Sequence, residues 1–170
     1  VRVVPGVPSG HAVVTVAEGG ENSIVVVPGA NDLLDEREVA AVDGLRPGDV
    51  LLVQLEVPRA GVCTAVRRAA GRGARVVLNI APYAALPPDV VALAEPVVAN
   101  EHEMAALAEA GAEPRSVLVT FGANGASWDG LTVPAHVVAA AEVADTTGAG
   151  DAFCGALAAA RARGARREEA

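Results

Sequence analysis

Between residues 49 and 80 the hydrophobic pattern changes period twice, and this alternation limits the fold more than any other feature of the chain. Residues 49–55 read as an apolar strand, 59–71 as a helix with Val62, Val66 and Ala69 on one face, and 75–80 as a second strand. Strand, helix and strand in that order make a βαβ unit, whose two strands run parallel. The theme returns downstream. Residues 96–99 form a short strand, 101–110 a helix closed by Gly111, and 116–121 another strand. A hairpin is expected over 127–133 around Asp129-Gly130. Residues 137–144 then lead into a final helix, 149–163, with Phe153, Leu157 and Ala160 inward. Upstream, the β-branched runs 12–17 and 23–27 flank Glu18-Gly19-Gly20-Glu21-Asn22 and read as a further hairpin. The expected class is α/β: a Rossmann-like, mainly parallel sheet flanked by helices, with ligands at the carboxyl ends of its strands.

At 170 residues and 52% hydrophobic content, the chain suffices for one domain with a sizeable core. Only four residues are aromatic, so that core is built of Val, Leu and Ala, which suits buried parallel strands and small-faced helices. All thirteen cationic side chains are Arg. Without lysine there is no Walker-type phosphate loop and no Schiff-base or pyridoxal chemistry. A net charge of −8, with no basic run except residues 161–167, argues against a nucleic acid partner. Cys63 and Cys154 sit in apolar helical patterns without metal-ligand spacing and read as buried thiols of a reducing compartment. No apolar run is long enough to span a membrane and no cleavable leader opens the chain, so the expectation is a cytoplasmic protein without a membrane partner.

Chemistry concentrates in Asp145-Thr146-Thr147-Gly148-Ala149-Gly150-Asp151, which runs straight into the last helix. Gly148 and Gly150 permit tight turns that aim the first helical amides at an anion, with the helix dipole in support. A dinucleotide fingerprint fails here, because Phe153 stands where the third glycine belongs. Asp151 has two readings. It is either a base taking a proton from a hydroxyl about to attack a phosphoryl group, or a first-turn Asp that satisfies backbone amides.

Four other segments end apolar strands with polar or glycine residues and converge on the same edge: Gln54-Leu55-Glu56, Asn79, 100–103 and Thr120-Phe121-Gly122. Asn100 and Glu103 are one helical turn apart and either order hydrated magnesium or form an N-cap with its capping-box partner; spacing alone favours the cap. Glu56 either binds sugar hydroxyls or is simply solvated. Thr120 and Gly122 either line a nucleotide or make an ordinary strand exit. His11, His102 and His136 are scattered, without triad partners, and receive no catalytic role.

The 145–153 stretch, Asp-Thr-Thr-Gly-Ala-Gly-Asp-Ala-Phe, resembles the second signature of the ribokinase, or PfkB, family of carbohydrate kinases. Four further segments resemble the ribokinase branch of that family in order and spacing: 20–31, 54–58, Asn79-Ile80-Ala81-Pro82 and Asn100-Glu101-His102-Glu103. The resemblance covers essentially the whole chain. It implies a ribokinase-like fold and ATP-dependent phosphorylation of ribose, with a related sugar or nucleoside kinase as the alternative. Asp151 would then be the catalytic base that also contacts the sugar, and Gly148, Ala149 and Gly150 the anion hole. Asn100 and Glu103 match the family's Asn-x-x-Glu element for phosphate and magnesium, which reverses the preference for a simple cap. Thr120 and Gly122 match nucleotide-lining positions, Glu56 a ribose-contacting one, and Asp145 and Thr147 the site of an activating monovalent cation, usually potassium. Residues 1–28 would be part of a small β lid, which carries the homodimer contact in full-length members, and 29–170 part of the kinase domain.

The family's sugar-gripping Gly-Gly-Lys-x-x-Asn element and the segments that flank adenine have no counterpart in these 170 residues. The chain therefore reads as an internal fragment, in which donor and acceptor are not both held in line. A truncated remnant without activity, or a module pairing through exposed lid strands, is the reading of another class.

Overall fold

The computed structural model describes residues 3–16, 22–139 and 146–170. Strands β1 (His11–Val16) and β2 (Asn22–Val27) pair antiparallel, His11 opposite Val27 and Val14 opposite Ile24. This is the expected upstream hairpin; its turn residues Glu18, Gly19, Gly20 and Glu21 lie outside the described residues. Val13, Ile24, Val25 and Val26 are all exposed, because a two-stranded ribbon has no second layer to cover either face.

After a 3-10 turn at Gly29–Leu33 come helix α1 (Glu36–Val39), a second 3-10 turn (Ala40–Gly44) and β3 (Val50–Val53). Helix α2 (Arg59–Gly71), β4 (Arg75–Asn79), α3 (Pro88–Val91), β5 (Val97–Asn100), α4 (Glu101–Glu109) and β6 (Val117–Thr120) follow. Strands β7 (Ala126–Trp128) and β8 (Leu131–Val133) and helix α5 (Ala149–Ala162) are the last elements among the described residues. Among the described residues the second sheet has six strands in the order β3-β4-β5-β6-β7-β8, parallel from β3 to β6 and antiparallel from β6 onward. The mainly parallel α/β expectation holds. Each strand stops within two residues of its expected end, and the leftover residues splay into the loops that build the site.

The sheet is covered on both faces. Val76, Leu78, Val97 and Ala99 point to one side and pack beneath Val62, Val66 and Ala69 of α2, Val90 and Val91 of α3 and Leu107 of α4. Val77, Val98, Leu118 and Trp128 point to the other, beneath Cys154 and Leu157 of α5. The period-two alternation explains why β4 reads as an unbroken apolar run: successive residues serve different cores. Both cysteines are buried, as expected. Phe153 departs from expectation. It is 36% exposed, while Cys154, Leu157 and Ala160 take the buried stripe. One helical position separates Phe153 from that stripe and turns its ring toward the strand ends.

The Asp129-Gly130 hairpin forms as read, with φ of 47° and 86°, both in the left-handed region that a two-residue turn of this kind demands. The Asp129 carboxylate also accepts hydrogen bonds from the Val117 amide at 2.7 Å and the Ser116 hydroxyl at 2.8 Å, pinning the turn back onto β6. Arg161, 5.4 Å from the Trp128 ring centroid, closes this face, and Arg75 donates to its carbonyl at 2.7 Å. No helix among the described residues is long and apolar enough to cross a membrane.

Candidate active site

Asn79, Asn100 and Thr120 are the last residues of three adjacent parallel strands, so their side chains emerge in a row at the carboxyl edge. Helix α5 lies across β3 and β4 and brings its amino end to this row. Two cavities meet there. The smaller, about 100 Å3, is lined by Asn79, Asn100, Glu103, Thr120, Gly150 and Cys154. The larger, about 610 Å3, runs past Gly122 and Trp128 to His136 and is mostly apolar. Thr120, Gly150 and Phe153 line both, so a ligand with one polar and one apolar end would pass over Gly150.

The start of α5 is open to an anion. Gly148, at φ 75°, reverses the chain and stands at the N-cap without a side chain to offer. Among the described residues no side-chain bond to the Gly150 or Asp151 amide is seen. The Ala149 amide donates to the Thr146 carbonyl at 3.1 Å and the Ala152 amide to the Gly148 carbonyl at 2.9 Å. The amides of Gly150 and Asp151 are therefore without an intrahelical acceptor, at the positive end of a fourteen-residue helix. A Cβ built on Gly150 meets nothing within 4 Å, so the fold itself does not demand glycine there. Asp151 is exposed beside these amides, on the first turn, and caps none of them.

Asn100 and Glu103 form a complete capping box. The Glu103 amide donates to Asn100 Oδ1 at 2.9 Å and the Asn100 amide to Glu103 Oε2 at 2.8 Å. Glu103 Oε1 has no protein partner among the described residues. One oxygen thus fixes the side chain, the other is left over, and Glu103 lines the small cavity, so capping and ion binding are compatible in one geometry. Cys154 lies between Glu103 and Asp151. Burial pushes its thiol up to about 11, and the charges of Asp151 and then Glu103 add to the effect. Both carboxylates therefore act on one spot beneath the cavity floor. Among the described residues no three His, Cys, Asp or Glu cluster to enclose a metal. A single carboxylate beside an anion site instead suits magnesium, which keeps most of its waters and takes phosphate oxygens as ligands.

Gly122, at φ 56°, opens a one-turn 3-10 helix and lines only the larger cavity. Thr120 Oγ1 lies 3.5 Å from the Ala99 carbonyl. Glu56 lines neither cavity; it stands past the end of β3, its carboxylate bonded to Gln54. Thr147 is exposed just before Gly148. Asp145 lies outside the described residues. His11 and His102 line neither cavity, whereas His136 borders the larger one. Sequence reasoning missed Phe153 and Cys154 as lining residues. Their spacing carries a signal, since Cys154 follows Asp151 by three and Gly150 by four and so shares their helix face.

The chain is 31% identical over 179 residues to the ribokinase of Schizosaccharomyces pombe, an alignment covering 92% of this chain and 56% of that protein. It superposes on the ribokinase of Thermotoga maritima with a TM-score of 0.77 at 26% identity, covering 95% of this chain and 59% of that one. The Arabidopsis thaliana ribokinase complexed with ribose and ATP gives 0.74 at 27% identity, with 96% and 59% covered. The chain thus spans a little over half the length of these relatives. Residues 1–170 match throughout the family described as pfkB family carbohydrate kinase, and the chain belongs to that family.

Proposed function

We propose that the chain carries the phosphoryl-transfer centre of an ATP-dependent sugar kinase whose acceptor is ribose. The observation that carries this reading is the start of α5, where no described side chain caps the Gly150 and Asp151 amides, where Asp151 is exposed, and where Gly150 shares one small cavity with the Asn100–Glu103 pair. An anion held by the Gly150 and Asp151 amides sits where the helix dipole favours it. Asp151 would repel that anion unless its charge were used, and a carboxylate beside a transferable phosphoryl group is placed to take the acceptor's proton. In this reading the sugar hydroxyl gives its proton to the Asp151 carboxylate. Its oxygen then bonds to the γ-phosphorus as the bond to the departing ADP oxygen breaks. The amides, with Gly148 and Ala149 shaping their turn, hold the phosphoryl oxygens as charge shifts among them.

The larger, apolar cavity suits the nucleotide base, with Thr120 and Gly122 along its path and Asn100 at the phosphate end. Magnesium, held by Glu103 through water, would neutralise phosphate charge. Asp145 and Thr147 are assigned to a monovalent cation, potassium by family likeness. Glu56 is assigned to the sugar. Residues 1–28 are assigned to a β lid through which the protein dimerises, residues 29–170 to the kinase domain, and the protein to the cytoplasm.

The test is ATP-dependent phosphorylation of a panel of pentoses, hexoses and nucleosides by the protein as its gene encodes it. Highest kcat/KM with ribose supports the reading. Preference for a nucleoside or a hexose moves the acceptor while keeping the centre, and absence of turnover with bound ATP overturns it.

A further inference from the structure

We infer that Gln54 is a positioning residue that holds the Glu56 carboxylate ready for the sugar. The inference rests on the assignment of Glu56 to the acceptor made above. Gln54 and Glu56 are two residues apart just past β3, where the chain bends over residues 55–57 and brings the two side chains together. Between them Leu55 is buried and donates its amide to the Ala81 carbonyl at 3.2 Å, which fixes the backbone of this segment against the end of β4. Gln54 then makes two bonds to one neighbour. Its Nε2 donates to Glu56 Oε2 at 2.9 Å, and its Oε1 accepts from the Glu56 amide. The second bond settles the orientation of the amide, because a backbone N–H needs the oxygen, and this leaves the NH2 for the carboxylate.

The bracket constrains a side chain that has no other reason to be still. Glu56 is exposed, and a free glutamate samples many rotamers that a bound sugar would have to select from. With Oε2 tied, Oε1 is left without a protein partner among the described residues and is the atom available to a hydroxyl. The position fits an acceptor rather than the phosphates. Glu56 follows β3 and Asn100 ends β5, and these strands lie two interstrand spacings apart, about 10 Å. Only an uncharged donor of this length works at position 54, since Glu there would set two carboxylates face to face.

The experiment measures KM for ribose and for ATP, with melting temperature, in the protein as its gene encodes it. Gln54→Met keeps the length and loses both bonds. The expected result is a ribose KM raised roughly tenfold with ATP KM within about twofold and the melting temperature unchanged. Gln54→Glu, which stays polar at the same length, should raise ribose KM further. In Gln54→Met combined with Glu56→Gln, ribose KM should match that of Glu56→Gln alone, because a positioning residue acts only through its target. A ribose KM unmoved by Gln54→Met but raised by Glu56→Gln overturns the role of Gln54 and leaves the acceptor assignment standing. A ribose KM unmoved by either overturns both. Equal rises in the two KM values indicate general loosening and also overturn the inference.

Discussion

Asn100 and Glu103 hold each other by reciprocal bonds of 2.9 Å and 2.8 Å between side chain and backbone, at the point where β5 becomes α4. The pair therefore has a structural task whether or not an ion is near, and only some substitutions separate the two roles. Glu103→Gln keeps an oxygen for the Asn100 amide and removes the charge. It should leave the melting temperature nearly unchanged and raise the magnesium concentration needed for half-maximal rate. Glu103→Ala should in addition lower stability by about 1 kcal/mol, the usual scale of a lost capping contact. Separate magnesium and sugar titrations check this; equal change in both would leave capping as the pair's whole role.

Asp151→Asn tests the proton transfer. The neutral amide cannot accept the hydroxyl proton but occupies the same space, so turnover should fall by roughly 10²-fold or more. Nucleotide affinity, measured calorimetrically, should stay the same or rise, because an anion next to the α5 amides no longer faces a carboxylate. Near-normal turnover would remove Asp151 from the role of base.

Gly150→Ala separates folding from function. Gly150 has ordinary helical geometry and an added methyl meets no atom of the described residues beyond its own helix turn within 4 Å, so the change should be neutral or stabilising by up to about 0.5–1 kcal/mol. The same methyl enters the space shared by the two cavities. Turnover should fall by at least about tenfold while the chemical denaturation midpoint holds or increases. A stable variant with full activity would show that no ligand passes over Gly150.

Cys154 should weaken the fold at alkaline pH. Its folded-state value of about 11 lies above the ordinary 9.0. The group therefore contributes its full stability below pH 9 and loses it as pH rises through about 11. No lysine titrates in that window, since the chain has none. Denaturation midpoints should fall between about pH 9 and 11, and Cys154→Ser should flatten the fall. An equally steep loss in the variant would place the cause elsewhere.

Much of the architecture was legible because periodicity is a local property. Val62, Val66 and Ala69 declared a helix face, residues 75–80 a strand buried on both sides, and Asp129-Gly130 a two-residue turn, each through spacing that needs no distant partner. Gly148 and Gly150 likewise announced the turn into the last helix, since glycines at a helix start carry their conformational meaning with them.

Sequence alone determined that polar residues would end adjacent parallel strands, and so that a site would lie at their carboxyl edge. Only the tertiary structure decided which of them share a cavity. It placed Asn79, Asn100, Glu103, Thr120 and Gly150 around one space and left Glu56 to the side, bracketed by Gln54. It also turned Phe153 out of the core. The physical reason is that a helix's buried stripe depends on the angle at which it crosses the sheet, and that angle is set by long-range packing of α5 on β3 and β4.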